Sequence, residues 1–249
     1  MNVKKEGIVL YKKKAIIEKQ EIDFLELTID KRGIKLQTHI SKKISSFPNK
    51  LESKEQIQKF LGCLNYAEGF IENLSKKRHK IQILLRKTNT KGWNNEHTEI
   101  VKSLKEECKN LPKLRLPDEK DNLIVNTDAS DKYWAAILKT DLNEICRYSS
   151  GTFNQAEINY TTHEKELLAI IRGIKKFSLF LLSKKFIVET DNSQVAGLVR
   201  NKLPMEPQYR RLHRWQAYLS FYNFEIIHIK GINNFLADFL SRNIEFADG

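Results

Sequence analysis

A chain of 249 residues with 41% apolar and 30% charged residues is long enough for one large domain or two small ones, and its composition excludes a disordered chain. The net charge of +12 belongs entirely to residues 1–115, which hold 26 Lys and Arg against 14 Asp and Glu, whereas residues 116–249 hold 17 of each. This asymmetry predicts a polyanionic partner for the first half, with a merely soluble, Lys-rich surface as the alternative.

The N-terminal residues 1–17 lack the long apolar core of a signal peptide. No stretch of the sequence approaches the roughly 18 apolar residues that a membrane span needs. The three cysteines, Cys63, Cys108 and Cys146, have spacings that suit neither a zinc site nor a disulfide framework. We therefore expect reduced thiols in an intracellular protein that is not secreted and has no membrane partner.

Residues 1–50 are predicted to form short strands. Residues 22–29 have a strand pattern, residues 30–33 a turn sequence and residues 34–37 a second strand pattern, which together predict a hairpin. Ser53 and Gln56 then form a capping-box pattern at the start of a helix. The apolar residues of that helix recur at helical spacing and are Ile57, Phe60, Leu61, Leu64 and Ala67. Two further helical patterns follow, at residues 76–86 and 95–110.

The best linker candidate is residues 111–121, which contain two prolines and a charged cluster. We therefore place a domain boundary near residue 116.

The second half is predicted to be a mixed α/β (α+β) domain. Its five strand patterns lie at residues 123–127, 133–138, 145–149, 186–190 and 225–229. Thr161 and Glu164 form the capping box of a long helix, and further helices are predicted at residues 210–218 and after Asn234. The buried stripe of the long helix is predicted to be Leu167, Leu168, Ile170, Ile171, Ile174 and Phe177. This order of elements indicates a mixed five-stranded sheet with flanking helices.

Four carboxylates stand next to apolar segments of this half. Asp128 and Asp191 each follow an apolar strand, while Glu166 and Asp238 lie beside apolar residues of predicted helices. If the two strands are neighbours, both aspartates emerge at one sheet edge and repel each other unless a cation lies between them. Oxygen ligands suit Mg²⁺, and two such ions can promote cleavage of a phosphodiester. For any single acid the alternative is a turn former or a helix-dipole partner, but the four together predict a metal site.

Several segments of the second half match one known family. They are residues 127–130 (TDAS), 147–151 (RYSSG), 164–169 (EKELLA), 190–192 (TDN), 214–215 (RW), 229–231 (IKG) and 237–242 (ADFLSR). With these segments, residues 121–242 resemble the ribonuclease H domain of gypsy-type retrotransposons and plant pararetroviruses such as the caulimoviruses.

The resemblance implies hydrolysis of the RNA strand of RNA–DNA hybrids. It implies that the catalytic, metal-binding acids are Asp128, Glu166, Asp191 and Asp238, with two Mg²⁺ ions that Mn²⁺ can replace. It further implies nucleic-acid contacts at Ser130, Thr162, Ser193, Gln194 and Arg214. The expected location is then the cytoplasm or a viral or virus-like particle.

The first half resembles the end of a reverse-transcriptase palm, with a primer-grip-like hairpin in residues 1–50, and a thumb in residues 51–115. Gln58, Gly62 and Tyr66 match the thumb positions that face the hybrid, although core packing is the alternative for Tyr66. The nuclease domain would then be residues 116–243, with a tail at 244–249. The implied partner is the fingers and palm region of the same polyprotein.

Three features depart from the family pattern. The Tyr-x-Asp-Asp motif of the polymerase site is absent from the sequence, so we expect no polymerase activity. The primer-grip strand has Glu26 where the family has Gly, and an acid there would repel a primer phosphate. Many gypsy-type relatives have His after the third acid, whereas this chain has Asn192, as the caulimovirus-like members do.

His228 is a candidate for product release, although its register on the last strand is off by about one residue. Two other functions remain open at this stage. The chain could be a non-catalytic nucleic-acid-binding remnant of an integrated viral or retroelement polyprotein. It could also be a transposase or integrase, but the zinc-binding module common beside integrases is absent from the sequence.

Overall fold

The computed structural model describes residues 19–72, 74–90 and 92–229. In the first half, the strands are β1 (Glu21–Phe24), β2 (Leu27–Asp30) and β3 (Gly33–Leu36), which form an antiparallel sheet. The helices of this half are α1 (Thr38–Ser46), α2 (Lys54–Leu64), α3 (Leu74–Ile83) and α4 (Asn95–Lys109). The three helices predicted here are confirmed, and α1 is an addition.

The second half contains a five-stranded sheet. Its strands are β4 (Leu123–Ala129), β5 (Tyr133–Thr140), β6 (Ile145–Thr152), β7 (Lys185–Thr190) and β8 (Asn223–His228). Its helices are α5 (Gln155–Ile158), α6 (Thr162–Leu181), α7 (Ser193–Arg200) and α8 (Arg210–Leu219). The strand order is β6-β5-β4-β7-β8, with antiparallel β4–β5 and β5–β6 pairs and parallel β4–β7 and β7–β8 pairs. The predicted mixed α/β sheet is confirmed.

The single strand predicted over residues 22–29 is wrong. Two strands, β1 and β2, meet there in a tight turn at Leu25 and Glu26, which have φ angles of 47° and 66°. Such angles are normally supplied by Gly, Asn or Asp, so this turn carries no sequence signal. The next turn was predicted, and Asp30 stabilises it by accepting hydrogen bonds from the backbone N–H groups of Arg32 (2.7 Å) and Gly33 (3.1 Å).

Side-chain caps explain where several of the helices begin. Ser53 Oγ accepts a hydrogen bond from the Gln56 N–H at 3.1 Å, but the Gln56 side chain accepts from Glu52 N instead of completing the box. The Thr161–Glu164 capping box at α6 is complete. Two helices that the sequence reading missed, α5 and α7, begin after asparagine caps at Asn154 and Asn192.

The long helix α6 packs on β4 and β5 with its predicted apolar stripe. All six stripe residues are buried: Leu167, Leu168, Ile170, Ile171, Ile174 and Phe177. Gly173 permits the close approach, because a Cβ atom there would lie 2.8 Å from the Cβ of Ala136 on β5. The helix therefore lies close to β5, the neighbour of the strand that carries Asp128.

Two hydrophobic cores lie on either side of the predicted linker. The first-half core runs from Ile34 to Leu114 and the second-half core from Leu123 to Ile226. The linker itself is anchored, since Leu114 pairs with Ile34 and the Arg115 N–H donates to the Ile145 carbonyl at 2.9 Å.

Some predicted features lie outside the described residues. They are the last predicted helix, Asp238 and the tail at residues 244–249. Among the helices in the described part of the chain, none is long and apolar enough to cross a membrane.

Candidate metal centre

Two of the predicted acids meet at one edge of the five-stranded sheet. Asp128 is the second-last residue of β4, so the strand continues one residue past the acid that was expected to end it. Asp191 directly follows β7. Because β4 and β7 are parallel neighbours, both carboxylates emerge at the same end of the sheet, as predicted.

The third acid comes from α6. Glu166 lies in the second turn of the helix, on the face that packs against the sheet, and only 3% of it is exposed. Its Oε1 atom accepts a hydrogen bond of 3.2 Å from the backbone N–H of Ala129, at the end of β4. Ligand oxygens of Asp128, Glu166 and Asp191 all lie within 4.8 Å of one another.

This arrangement concentrates negative charge where the carboxylates are partly shielded from solvent. Two unit charges about 5 Å apart repel by about 3.5 kcal/mol where the effective dielectric constant is about 20. Asp128 and Glu166 are both buried and Asp191 is half-buried, so bulk water screens this repulsion only in part. A divalent cation between the three carboxylates would reverse the sign of the interaction.

An open cavity of about 550 Å³ lies in front of the three acids. Four of the predicted nucleic-acid contacts line it, namely Ser130, Thr162, Ser193 and Gln194. Ser193 and Gln194 form the first residues of α7, where the Asn192 side chain accepts the Gln194 N–H at 3.1 Å. Hydroxyl and amide side chains therefore line the cavity beside the acids.

His163 also lines the cavity, and the sequence reading had placed it on a plain surface. Its Nδ1 atom lies 3.2 Å from Oδ1 and 2.9 Å from Nδ2 of Asn192, the residue that caps α7. The available signal was its spacing, because His163 and Glu166 are three residues apart and share one helix face. The contact joins the start of α6 to the turn that follows Asp191.

Two predicted site residues lie away from the cavity. Arg214 is exposed on α8 and does not line it. His228 pairs with Thr190 at the end of β8, and its Nε2 atom lies 3.0 Å from the carbonyl oxygen of Asp191. His228 therefore contacts the backbone beside the acid cluster and does not face the cavity.

The predicted thumb residues share an exposed face. Gln58, Gly62 and Tyr66 follow one another at intervals of four residues along α2 and the short helical turn after it, and all three are exposed. Tyr66 is 46% exposed, so the alternative that it serves core packing is wrong. A Cβ atom at Gly62 would meet nothing within 4 Å, so protein packing does not require glycine there.

The hairpin tip is apolar with one acid. Phe24 and Leu25 are 58% and 74% exposed, and Glu26 is paired with His39 at 2.7 Å. The acid that departs from the family pattern is thus held by a neighbouring imidazole.

The chain is similar in sequence to one domain family and to part of several viral polyproteins. Residues 93–197 match the family described as an RNase H-like domain found in reverse transcriptase. The chain is 43% identical over 240 residues to the enzymatic polyprotein of carnation etched ring virus, and the matched region covers 95% of this chain and 36% of the polyprotein. It is 44% identical over 245 residues to that of figwort mosaic virus (strain DxS), covering 97% of this chain and 37% of the polyprotein. The chain thus spans little more than a third of the length of these relatives.

Solved structures show the same fold. The foamy viral protease-reverse transcriptase in complex with RNA/DNA hybrid superposes with a TM-score of 0.75 at 21% identity, over 95% of this chain and 32% of that one. The same enzyme in complex with dsDNA gives a TM-score of 0.70 at 22% identity, over 85% of this chain and 45% of that one.

Proposed function

We propose that this chain hydrolyses the RNA strand of RNA–DNA hybrids. It contains an RNase H-like domain of the reverse-transcriptase type, and it is similar over nearly its whole length to part of the caulimovirus enzymatic polyproteins. The observation that carries the proposal is the convergence of Asp128, Glu166 and Asp191 from three separate elements. Three carboxylates whose ligand oxygens meet at one point offer the oxygen donors that suit metal binding.

The donor set fits hard divalent cations. Carboxylate oxygens are the ligands that Mg²⁺ and Mn²⁺ prefer, and the cavity leaves room for water beside them. Asp128, Glu166 and Asp191 would hold the ions, and Asp238 is proposed as the fourth ligand from sequence alone. The chemistry that such ions supply is activation of a water molecule and stabilisation of the leaving oxygen in phosphodiester cleavage.

The surrounding side chains would position the hybrid. Ser130, Thr162 and Ser193 bring hydroxyl groups and Gln194 brings an amide group to the cavity that the acids line. Donors of this kind bind phosphate and sugar oxygens and fix the register of the strand. Arg214, exposed on α8, would act further along the duplex as a phosphate contact.

The first half would hold the same duplex as a thumb. We propose that residues 1–50 are the end of a palm, 51–115 the thumb and 116–243 the nuclease domain. The exposed face of Gln58, Gly62 and Tyr66 would lie along the hybrid, with the fingers and palm of the same polyprotein as the neighbouring partner. Since Gly62 has open space around it, a close approach by nucleic-acid backbone is the better reason for glycine at this helix position.

The test is a cleavage assay with the full chain on a hybrid labelled in its RNA strand. We expect cleavage of that strand with Mg²⁺ or Mn²⁺, none of duplex DNA, and none in excess chelator. The matched variants are Asp128→Asn, which should abolish cleavage, and Asp141→Asn, which alters an exposed carboxylate of the same sheet and should leave it intact. Tight hybrid binding without cleavage would instead favour the non-catalytic remnant, and cleavage that persists in chelator would contradict a metal mechanism.

A further inference from the structure

Four consecutive side chains tie the start of α6 to its surroundings. The contacts are His163–Asn192 after β7, Glu164–Arg211 on α8, Lys165–Asp131 in the β4–β5 turn and Glu166–Ala129 at the end of β4. Three of the partners line the cavity, whereas Arg211 comes from α8, none of whose described residues lines it. Arg211 therefore contacts the start of α6 from outside the cavity.

Arg211 is fixed by its own neighbours. Its Cζ atom lies 3.9 Å from the ring centroid of Tyr160 and 5.6 Å from that of Trp215. Stacking of this kind orients the planar guanidinium group and limits its rotation. Glu164 is held in turn, because its other carboxylate oxygen accepts hydrogen bonds from the N–H (3.0 Å) and Oγ1 (3.1 Å) of Thr161.

We propose that Arg211 is a positioning residue, which anchors the first turn of α6 to α8 and thereby keeps Glu166 within ligand distance of Asp128 and Asp191. This role rests on the proposed function, since it concerns the same metal centre. The Thr161–Glu164 capping box shapes the start of the helix but joins residues of one segment, so it cannot fix the helix against another element. The ion pair with Arg211 is a tertiary contact that fixes the start of α6 against α8.

The geometry of a helix explains the direction of the effect. Successive residues turn by about 100°, so Glu164 and Glu166 point to opposite sides of α6. The ion pair between Glu164 and Arg211 therefore restrains the start of α6 on the face opposite the acids. Without a bound cation, repulsion from the two aspartates would shift Glu166, and a helix start that is tied to α8 has less freedom to move in response.

The chain offers a matched control further along the same helix. Glu157 completes the capping box of α5 and accepts hydrogen bonds of 2.7 and 2.8 Å from Arg172, which lies in the middle of α6. The Cζ atom of Arg172 lies 5.7 Å from the ring centroid of Trp134 and 5.4 Å from that of Phe153. Neither Glu157 nor Arg172 lines the cavity. Arg172→Gln therefore removes an arginine with an equivalent carboxylate and two aromatic neighbours, but at a position about two turns away from Glu164.

The experiment measures Mn²⁺ binding by calorimetry to the full chain and to Arg211→Gln, Arg211→Lys and Arg172→Gln, in the absence of nucleic acid. Thermal unfolding without metal is recorded in parallel. Both Gln variants should unfold at lower temperature, but only Arg211→Gln should weaken Mn²⁺ binding, by about tenfold, as is usual when a partner that orients a ligand is lost. Arg211→Lys keeps the charge and should recover part of the affinity. In the hybrid cleavage assay, Arg211→Gln should lower kcat more than it raises KM.

Equal Mn²⁺ affinity in Arg211→Gln and the unaltered chain would overturn the positioning role, as would an equal loss in Arg172→Gln. If Arg211→Gln does not fold, Arg211→Lys provides the test of the positioning role. A Mn²⁺ affinity and a kcat that both equal those of the unaltered chain would then overturn that role. An unaltered chain that binds no Mn²⁺ would refute the proposed function and the positioning role together. Normal Mn²⁺ binding by every variant would refute the positioning role alone.

Discussion

Replacing Asp128 by Asn should stabilise the metal-free protein while it abolishes cleavage. Asp128 is 3% exposed, and its ligand oxygen lies within 4.8 Å of those of Glu166 and Asp191. Each repulsion at that distance is worth about 3.5 kcal/mol at an effective dielectric constant of about 20. Asp191 is half-buried and solution cations reduce both repulsions, so we expect a net gain of about 1–2 kcal/mol from the isosteric change.

The assay is thermal unfolding in chelator and again in excess Mg²⁺. For a chain of this length 1 kcal/mol corresponds to about 2–4 °C in Tm, so Asp128→Asn should unfold about 2–8 °C above the unaltered protein in chelator. A cation that binds the folded state at about 100 times its Kd adds about 2.7 kcal/mol. Magnesium should therefore stabilise the unaltered protein strongly and the variant weakly. The difference in Tm between the two proteins should then disappear or change sign.

Asp141→Asn is the control, because Asp141 is exposed and accepts a hydrogen bond of 2.7 Å from the Asn122 side chain far from the acid cluster. Its Tm should respond to Mg²⁺ as that of the unaltered protein does. A lower Tm of Asp128→Asn in chelator would refute the repulsion argument. Equal stabilisation of Asp128→Asn and the unaltered protein by Mg²⁺ would refute the assignment of Asp128 as a ligand.

Three further predictions concern other sites. Gly62→Ala should raise the unfolding free energy by up to about 1 kcal/mol, since its Cβ meets nothing within 4 Å. The same change should weaken hybrid binding in a filter or polarisation assay, and an unchanged affinity would contradict a close approach of nucleic acid. Gly33→Ala should lower Tm strongly, because its Cβ would lie 2.0 Å from the Leu114 carbonyl oxygen at a φ of +142°; a Tm within a degree or two of the unaltered value would refute this. Burial raises the pKa of Glu164, but hydrogen bonds from Arg211 and Thr161 outweigh this effect and lower that pKa below its ordinary 4.5. The contribution of the ionised Glu164 to the stability of the folded protein is therefore present above about pH 4.5 and lost as pH falls through the lowered pKa. In urea unfolding at a series of pH values, Glu164→Gln should therefore be less stable at neutral pH and show a smaller loss of stability in acid, and parallel pH profiles would count against it.

The sequence was informative where a local pattern and a general rule suffice. Asp128 and Asp191 could be brought together because each follows an apolar run of residues and parallel neighbouring strands end at one edge of the sheet. Glu166 could be separated from Glu164 because a capping box has fixed spacing. The fourth acid, Asp238, stays a prediction.

The contacts missed by the sequence reading join distant segments or lack a turn signature. His163 and Asn192 are 29 residues apart, and Glu164 and Arg211 are 47 residues apart, so no periodicity links them. The β1–β2 turn escaped because Leu25 adopts a positive φ without a residue type that favours it. Each of these features depends on tertiary packing, which propensity and spacing do not encode.

Contacts between the two halves lie close to the acid cluster. Tyr148 on β6 packs against the first-half core and donates its backbone N–H to the Gly69 carbonyl at 3.1 Å, and burial raises the pKa of its phenol. The Lys76 ammonium of α3 lies 5.4 Å from the ring centroid of Tyr133, only two residues after Asp131 in the cavity wall. These contacts hold the described part of the first half beside the cavity that the acids line. Under the proposed function, a duplex bound to the first half would therefore meet the acids at a distance that these contacts set, and that distance would determine where along the duplex the cut falls.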